Sequence, residues 1–527
     1  MASKAGQVKN LSRRSFLKFV GGAASLVGVS LNLAGCGKPL TADKAVGGKG
    51  WMPTQYNAPG NWPTNVRGRV PIDPANPSII RDDQKCILCG QCIEVCEKIQ
   101  SVFGNYELPI KKEFVCVNCG QCIQWCPSGA ISERDDIDKV LKAISDPNIT
   151  VVVQTAPATR IGLGEEFGMP VGTNVQGKQV AALRKLGFDV IFDTNFTADL
   201  TIMEEGTELV KRVKGELKMP IPQFTSCCPG WVKFVEYFYP DLIPNLSTAK
   251  SPQQMEGTLM KTYYAETNNV DPKKIFSVAI MPCTAKKFEC QRPEMVSARK
   301  DLNDSNVSPD VDVVLTTKEL ARMIKRAGID FTSLPDDQYD QLMGSGTGAG
   351  AIFGTTGGVM EAAVRSAYYL ITGQQPPSAL WALTPVRGMQ GVKEAAVNIP
   401  GVGDIKVAVI SGLANARMVM DQIRAGNTSW AFIEVMACPG GCEYGGGQPR
   451  ASSPPSDADR NRRAASLYTI DAKAKLRNSH DNPQIKQVYA DFLTSPMSEK
   501  AEELLHTHYI SRAEEFVPKK TEENKLY

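Results

Sequence analysis

Cysteine is the residue type in this chain whose number and spacing could do chemistry. The 527 residues include 15 Cys and 3 His, and eight of the cysteines lie between Cys86 and Cys126. This clustering argues against a disulfide framework. All three histidines (His480, His506 and His508) lie near the C-terminus, which disfavours Cys/His zinc sites, haem ligation and a Ser-His-Asp triad. Closely spaced thiols without nearby histidine indicate iron–sulfur chemistry.

The eight clustered cysteines form an internal repeat. The pattern of Cys86–Cys96 recurs 30 residues later as Cys116–Cys126. Three thiolates at this spacing can surround one cubane, because Gly90 and Gly120 allow close backbone approach, whereas the fourth serves the other cluster. We therefore expect two [4Fe-4S] clusters. The predicted ligands are Cys86, Cys89, Cys92 and Cys126 for the first cluster, and Cys116, Cys119, Cys122 and Cys96 for the second. The repeat resembles the bacterial two-[4Fe-4S] ferredoxin module, an α+β domain assigned here to residues 81–140.

The first residues have the composition of an export signal. Arg13 and Arg14 precede a Gly/Ala-rich apolar stretch over residues 19–33, which is too short to span a bilayer. This segment resembles the signal read by the twin-arginine export machinery. Residues 33–36 also resemble a lipobox, which implies a lipid anchor at Cys36; a soluble product cleaved nearby is the alternative. We expect a signal over residues 1–36, a Gly/Pro-rich tether over 37–80, and a periplasmic location or one on the outer face of the cytoplasmic membrane.

Composition and charge indicate a folded globular protein and disfavour a nucleic-acid-binding one. Hydrophobic residues at 42% and charged residues at 22% are ordinary for a folded globular protein. The formal net charge is +3, but the first 35 residues carry five basic residues and no acid, so the remainder is close to neutral. A near-neutral surface has no electrostatic footprint for nucleic acid, and no nucleic-acid partner is expected.

From about residue 148 the chain alternates between short apolar runs and amphipathic stretches. The apolar runs predict buried strands near residues 151–154, 190–193, 276–280, 313–315, 407–410 and 431–434. Helices are predicted between them, for example over 178–186 and over 317–324 with Thr316 or Thr317 as N-cap. The alternation predicts an α/β domain with mostly parallel sheets, whose ligand sites lie beyond the carboxyl ends of strands.

Most of the remaining cysteines follow predicted strands in three longer motifs, Thr225–Trp231, Met281–Glu289 and Glu434–Pro449. In order and length these resemble the three signatures of the iron-only ([FeFe]) hydrogenases, and the likeness runs from about residue 80 to about 513. The resemblance implies an H-cluster catalytic domain over 148–450 that interconverts H₂ with protons and electrons. Residues 451–527 resemble the family's small subunit, fused here to the large one. Helices are expected there from residue 482 to about 512, the last beginning at Ser495-Pro496.

The resemblance also implies how the H-cluster is held. This cofactor is a [4Fe-4S] cubane bridged to a diiron centre with CO, cyanide and dithiolate ligands. The implied cubane ligands are Cys228, Cys283, Cys438 and Cys442, of which Cys442 also bridges to the diiron centre. Lys286 would pair with a cyanide as a charge-assisted donor. The other implied pocket residues are Gln253, Met281, Met436, Pro157 and Ala158.

A proton route is implied in the same way. Cys227 adjoins a ligand without being one, and a free thiol, with a reference pKa of about 8.5, can both hold and release a proton. The implied route outward runs through Glu208, Ser247, Arg212 and Glu205. Spacing puts the two glutamates and the arginine on one face of a helix predicted to begin near residue 202. The residues alone would also describe a solvated face with an ion pair.

Other function classes fit the chain less well. A non-catalytic iron–sulfur assembly protein of the same fold would be expected to lose the first or third motif. A sensory relative would be expected to carry a signalling domain, which the residues after 450 do not resemble. A nickel–iron hydrogenase would need paired Cys-x₂-Cys motifs near both ends of its large subunit. Export favours H₂ uptake outside the cytoplasm, with electrons passing to a c-type cytochrome or a membrane electron carrier.

Overall fold

A computed structural model describes residues 68–107, 114–427 and 429–516; the predicted signal, Cys36 and most of the predicted tether lie outside these residues. The described strands are β1 Ile79–Arg81, β2 Ile131–Glu133, β3 Thr150–Thr155, β4 Val190–Asp193, β5 Gln223–Phe224, β6 Ile275–Met281, β7 Val313–Thr316, β8 Val392–Ile399, β9 Gly403–Ser411 and β10 Phe432–Met436. The described α-helices are α1 Gln91–Glu94, α2 Gln121–Trp125, α3 Ile137–Ile144, α4 Gln176–Leu186, α5 Thr194–Val213, α6 Pro229–Phe238, α7 Pro252–Lys261, α8 Tyr263–Thr267, α9 Ala285–Glu289, α10 Ser297–Asp301, α11 Thr317–Arg326, α12 Gly348–Ile352, α13 Gly358–Thr372, α14 Leu413–Arg424, α15 Asp457–Lys473, α16 Pro483–Val488 and α17 Glu499–Leu505. None of these helices is long and apolar enough to cross a membrane.

Two four-stranded sheets form the α/β part of the chain. The first has the order β4-β3-β6-β7 and is entirely parallel. The second has the order β5-β10-β9-β8, in which β8 alone runs antiparallel, in register with β9. Helices α3, α4 and α11 pack on the first sheet, where Val151, Val153 and Val278 are fully buried. The predicted strands and the mostly parallel sheets are confirmed, because sheets buried on both faces carry continuous apolar runs that are legible in the sequence.

Helix α11 begins with the signal that the sequence predicts. The Thr316 hydroxyl accepts a hydrogen bond from the Glu319 N–H (3.2 Å), and the Glu319 carboxylate accepts one from the Thr316 N–H (2.7 Å). This capping box satisfies two N–H groups that the first helical turn leaves free, and such a cap contributes about 1 kcal/mol. Thr316, rather than Thr317, is therefore the N-cap.

The N-terminal unit begins earlier than the predicted boundary at residue 81. Gly68 pairs with Cys89, and β1 pairs antiparallel with β2. Val70 and Ile79 are buried in the same small core as Cys92. Residues 68–80 are therefore part of this unit, although their Pro/Asn-rich composition predicts a tether.

Gly120 allows the N-terminal unit to pack tightly on the α/β part. It caps α2 with a left-handed backbone (φ 70°). A Cβ at this position would lie 2.3 Å from the Thr284 Oγ1 and 3.1 Å from the Gly446 Cα. Beside it, the Gln121 side-chain amide donates to the Tyr444 carbonyl (3.1 Å). The second cysteine loop is thus in direct contact with the second and third motifs.

The C-terminal region departs from the sequence prediction in two places. Helix α15 lies in a largely polar stretch for which no helix is predicted, because its buried face carries charged residues beside Ala464 and Leu467. Arg463 on this face donates to the Glu165 carboxylate and to the Glu443 carbonyl. The last helix begins at Glu499 with Ser498 as its N-cap, three residues after the predicted Ser495. Pro496 follows the predicted cap but lies in the turn before the helix.

After α17 the chain pairs with a segment of the α/β part. The Lys250 N–H donates to the Leu505 carbonyl and the Thr507 N–H donates to the Thr248 carbonyl, both at 2.8 Å. These hydrogen bonds flank an antiparallel bridge between Ala249 and His506. The small-subunit-like region therefore fixes the backbone immediately after Ser247.

We predict that Gly120→Ala lowers the iron content and the melting temperature of the purified protein more than Gly129→Ala does. Both glycines have positive φ, so both substitutions bring backbone strain of about 1 kcal/mol. Only at Gly120 does the new Cβ meet other atoms, because nothing lies within 4 Å of a Cβ at Gly129. Equal losses in the two variants would show that backbone strain, and not the contact with Thr284, is the constraint.

Candidate active site

A buried cavity lies beyond the carboxyl ends of β3, β5, β6 and β10, between the two sheets. Its lining is mostly apolar and comes from all three motifs and from the loop after β3. The lining residues are Ala156, Pro157, Ala158, Thr194, Ala198, Cys227, Cys228, Pro229, Pro252, Gln253, Met281, Pro282, Cys283, Lys286, Phe353, Gly354, Met436 and Cys442. The predicted location of the ligand site at the strand ends is thus the one observed.

The four predicted cubane cysteines are neighbours at this cavity. Cys228, Cys283 and Cys442 line it, and Cys438 follows β10 within electrostatic range of all three. The Ala437 N–H donates to the Cys228 sulfur (3.4 Å). Burial, and then the neighbouring thiols, raise the pKa of Cys283 to about 12.

These residues fit a metal cluster rather than a single ion. A buried thiolate needs a compensating positive charge, which coordinated iron supplies. No three Cys, His, Asp or Glu side chains in the described ranges converge on one metal ion. Four thiols spread around a cavity therefore match a polynuclear cluster that occupies the space between them.

Lys286 has the geometry expected of a donor into the cavity. Its ammonium donates to the Cys227 carbonyl and to the Glu289 carboxylate, each at 2.9 Å. Burial alone would lower the pKa of Lys286, but Glu289 and the nearby thiols raise it overall. Because an ammonium has three donors and two are engaged here, the third can serve a ligand in the cavity.

The other predicted pocket residues are also brought together. Gln253, Met281, Met436, Pro157 and Ala158 all line the cavity. The Gln253 Nε2 donates to Glu289 (3.2 Å), while its buried Oε1 has no hydrogen-bond partner in the part of the chain that the structure describes. Thr194 and Ala198 of α5 also line the cavity but were not predicted from the sequence. Thr194 could have been, because it directly follows β4 and ligand sites lie beyond the carboxyl ends of parallel strands.

The predicted proton-route residues Glu205, Glu208, Arg212 and Ser247 are buried close to one another. Hydrogen bonds join Glu208 to Ser247 and Arg212, whereas neither carboxylate oxygen of Glu205 has a hydrogen-bond partner among the described residues. Helix α5 begins at Thr194, earlier than predicted, and carries Glu205, Glu208 and Arg212. The charge of Glu205 acts on Cys227, which favours Glu205 as the residue nearest the thiol, whereas the sequence prediction places Glu205 last. The Ser247 hydroxyl donates to Glu208 (2.7 Å). Arg212 donates to Glu208 through Nε (3.1 Å) and Nη2.

The pKa of Glu205 is strongly shifted from its usual value. Burial and the nearby carboxylate of Glu208 raise the pKa of Glu205 to about 8, although Ser247 and the Ser226 N–H act in the opposite direction. Burial, and then the charge of Glu205, raise the pKa of the Cys227 thiol. Both groups are therefore protonated near neutrality and can exchange protons with a partner.

The cysteines of the repeat divide into the two predicted groups. Cys86, Cys89, Cys92 and Cys126 line one small cavity. The thiols of Cys119, Cys116 and Cys96 act electrostatically on Cys122, as does Cys92 of the first group, so the two groups are neighbours. Backbone N–H groups donate to sulfurs in both groups, from Val70 to Cys92 (3.2 Å) and from Asn118 to Cys116 (3.3 Å).

The second group also reaches the cavity of the α/β part. Cys119 lies within electrostatic range of both Cys283 and Cys438. The contact of Gly120 with Gly446 accounts for this proximity. Cys290, to which the sequence assigns no role, lies apart from these groups; its buried thiol donates to the Lys287 carbonyl (3.3 Å).

Comparison with known proteins identifies the family that has this arrangement. Residues 149–446, more than half of the chain, match the family described as the iron only hydrogenase large subunit, C-terminal domain. The chain belongs to the iron-only hydrogenase family. Residues 457–512 match the iron hydrogenase small subunit, so this hydrogenase carries both subunit regions in one chain.

Individual relatives agree with this result. The periplasmic [Fe] hydrogenase large subunit of Nitratidesulfovibrio vulgaris is 50% identical over 371 residues, which cover 70% of this chain and 85% of the relative. A subunit of an NADP-reducing hydrogenase from Solidesulfovibrio fructosivorans is 47% identical and covers 82% of this chain and 75% of its own length. A solved variant of the [FeFe]-hydrogenase of Chlamydomonas reinhardtii superposes with a TM-score of 0.63 at 40% identity, covering 72% of this chain and 99% of that one.

The cofactors follow from the family and fit these residues. This hydrogenase carries the H-cluster, for which the cavity supplies four cysteines and a cationic donor. Two further [4Fe-4S] clusters are consistent with the two groups of four cysteines in the N-terminal unit. The enzyme is therefore an oxidoreductase acting on H₂.

We predict that Glu205 gives a protonated carboxylic acid signal in the infrared spectrum, which disappears as the pH rises through about 8. The sign follows from burial, which favours the neutral acid below the raised pKa. Glu205→Gln should remove the signal. Glu208→Gln should retain the signal, but the signal should disappear at a lower pH, because the Glu208 carboxylate no longer raises the pKa of Glu205. A signal that persists in Glu205→Gln would contradict the assignment.

Proposed function

We propose that this hydrogenase oxidises H₂ outside the cytoplasm, releasing protons through Cys227 and electrons through the two clusters of the N-terminal unit. Each H₂ yields two protons and two electrons, and the reaction is reversible. The observation that carries the proposal is the proximity of Cys119 to Cys283 and Cys438, which provides a route from the cavity to the second group of cysteines.

In the cavity, protein residues hold the cofactor and exclude water. When bound, the H-cluster supplies the iron chemistry that splits or forms H₂. Cys228, Cys283, Cys438 and Cys442 would hold it, with Cys442 as the residue shared between its two parts. Lys286 would orient a cyanide ligand with its remaining donor. Met281 and Met436 fill the space around it without offering a competing strong hydrogen-bond donor.

Protons would move along the buried side chains behind Cys227. The thiol exchanges a proton with the cavity and then with Glu205, whose pKa of about 8 is close to the range in which a relay group is most effective. Ser247 donates to Glu208 and acts on the pKa of Glu205, so a rotation of its hydroxyl would connect the two carboxyl groups. Arg212 stays charged and acts by holding Glu208 in place.

Electrons would leave at the first cysteine group, which faces solvent. Ile87 and Leu88, between Cys86 and Cys89, are 65% and 51% exposed. Exposed apolar residues beside a redox centre fit a transient electron-transfer partner. A c-type cytochrome or a membrane electron carrier is the partner that an exported hydrogenase would use.

The proposed location rests on the N-terminal sequence and on one relative. Arg13 and Arg14 before a short apolar stretch resemble a twin-arginine signal, and the Nitratidesulfovibrio vulgaris relative is periplasmic. Lipidation at Cys36 would anchor the protein to the membrane. Export through the twin-arginine machinery suits this protein, because that pathway accepts folded proteins that already hold their metal clusters.

We predict that Cys227→Ser retains iron and the infrared bands of CO and cyanide, while H₂ turnover falls about 100-fold or more, the usual range for loss of a proton-transfer group. A serine hydroxyl is much harder to deprotonate than a thiol. Cys228→Ser is the matched comparison and should lose the cubane, because thiolate is the preferred cluster ligand. Loss of the bands in Cys227→Ser, or near-normal turnover, would refute the relay. Absence of the bands from the matured parent enzyme would refute the hydrogenase reaction.

We predict that Cys126→Ala and Cys96→Ala remove different clusters. Cys126 lines the cavity with Cys86, Cys89 and Cys92, so its loss should abolish the first cluster. Cys96 lies with the group that includes Cys122, so its loss should abolish the second. Electron paramagnetic resonance of the reduced proteins would distinguish the two signals. Loss of the second cluster in Cys126→Ala would mean that each repeat holds its own cluster.

A further inference from the structure

Lys233 is a buried cation without a carboxylate partner. It lies on α6, five residues after Cys228, and is 7% exposed. Its ammonium donates to the Asn118 side-chain carbonyl (2.7 Å) and lies 3.9 Å from the centroid of the Phe288 ring. Lys233 makes no ion pair within the described part of the chain, and the nearby Glu236 is already paired with Arg292 and Arg512.

Among the described residues, the one hydrogen-bond partner of Lys233 belongs to the second cysteine loop. Asn118 lies between Cys116 and Cys119 with a left-handed backbone (φ 61°). Its N–H donates to the Cys116 sulfur (3.3 Å), and its side-chain amide donates to Asn76 (3.0 Å). Asn76 in turn donates to the same sulfur (3.7 Å). The ammonium is therefore connected through Asn118 to the sulfur of a proposed ligand.

An unpaired cation in the interior is expensive unless an opposite charge lies close by. Burial lowers the pKa of Lys233 to about 8, and Cys116 acts in the opposite direction. The carboxylates of Glu515 and Glu236 also act to raise this pKa, but both are paired with arginines. A [4Fe-4S] cluster held by four thiolates has a net negative charge in both of its usual oxidation states. The second cluster would thus supply the countercharge that the protein does not provide.

The first cysteine group has a different electrostatic environment. Its cavity includes two arginines, Arg69 and Arg81. Both form ion pairs with the single carboxylate of Asp83, at 2.6 and 2.7 Å, which offsets one of the two charges. The side chains of Arg69 and Asp83 are 38% and 61% exposed, so solvent screens the charge that remains. Among the residues around the two groups, Lys233 is distinguished by its burial and by the lack of such a partner.

We propose that Lys233 is the countercharge of the second cluster and raises its reduction potential relative to the first. Reduction adds negative charge, and a buried cation stabilises the more negative state. The inference rests on the proposed assignment of Cys96, Cys116, Cys119 and Cys122 to that cluster. A raised potential at the second cluster would draw electrons away from the catalytic cavity during H₂ oxidation.

The test is a redox titration of the cluster-loaded full chain, followed by electron paramagnetic resonance. Lys233→Met removes the charge and keeps a similar side-chain volume, whereas Lys233→Arg is the matched control that keeps the charge. We expect the second cluster to shift to a more negative potential in Lys233→Met, to stay near the parent value in Lys233→Arg, and the first cluster to change less in both. The proposal would be overturned if the reduction potential of the second cluster were unchanged in Lys233→Met, or if the potentials of both clusters shifted equally.

Iron content separates failure of this inference from failure of the proposed function. If Lys233→Met does not retain the second cluster, Lys233→Gln provides a second neutral variant. Loss of the cluster in both neutral variants but not in Lys233→Arg would support the countercharge. If Lys233→Arg lost the second cluster as well, the cluster would require the shape of the lysine side chain rather than its charge. That result would overturn the countercharge proposal. If the Cys96→Ala variant keeps both cluster signals, the ligand assignment fails instead, whatever the Lys233 variants show.

Discussion

A thiolate is costly in an interior without water, and the central part of this protein must accommodate four of them. Burial raises the pKa of Cys228, Cys283, Cys438 and Cys442, so the ligand form needs compensation from iron, from N–H donors and from cations. This explains why the three cysteine motifs sit where parallel strands end. Free N–H groups and helix starts lie close together there, and a helix N-terminus favours negative charge. The strand ends of the two sheets therefore do more than enclose the cavity, because they also supply N–H groups that stabilise negative charge on sulfur.

The same requirement explains the buried charges around the cavity. Lys286 is held by Glu289 and by a carbonyl, and Lys233 by Asn118 and an aromatic ring. In each case the ammonium is held near sulfur by partners that are neutral or carry a single charge. Part of its positive charge therefore remains to stabilise negative charge on the sulfur. Glu205 is the complementary example, since burial and a neighbouring carboxylate keep it neutral. The same buried environment therefore favours sulfur close to cations and a neutral acid close to Cys227, the thiol proposed to transfer protons.

Much of the fold and of the site could be predicted from the sequence because the signals are local. Buried parallel strands are continuous apolar runs, Thr316 and Glu319 form a cap within one turn, and the cysteine spacing specifies how thiols share a cluster. The errors concern features fixed by distant contacts. Helix α15 buries arginines against residues some 20 to 300 positions away, and a polar pattern cannot indicate that. The inner position of Glu205 depends on where α5 passes Cys227, and the link from Lys233 to Asn118 joins residues 115 positions apart.

The pairing of the chain after α17 with Ser247–Lys250 has a consequence for assembly. The paired segment supports the backbone on which Ser247 stands, so a proton route of fixed geometry needs this segment in place. If this segment belonged to a separate chain, the fraction of enzyme with the segment bound would depend on the concentration and the affinity of that second chain. Covalent attachment turns the docking step into an intramolecular event with a high effective concentration. Dilution of this enzyme should therefore leave the segment bound.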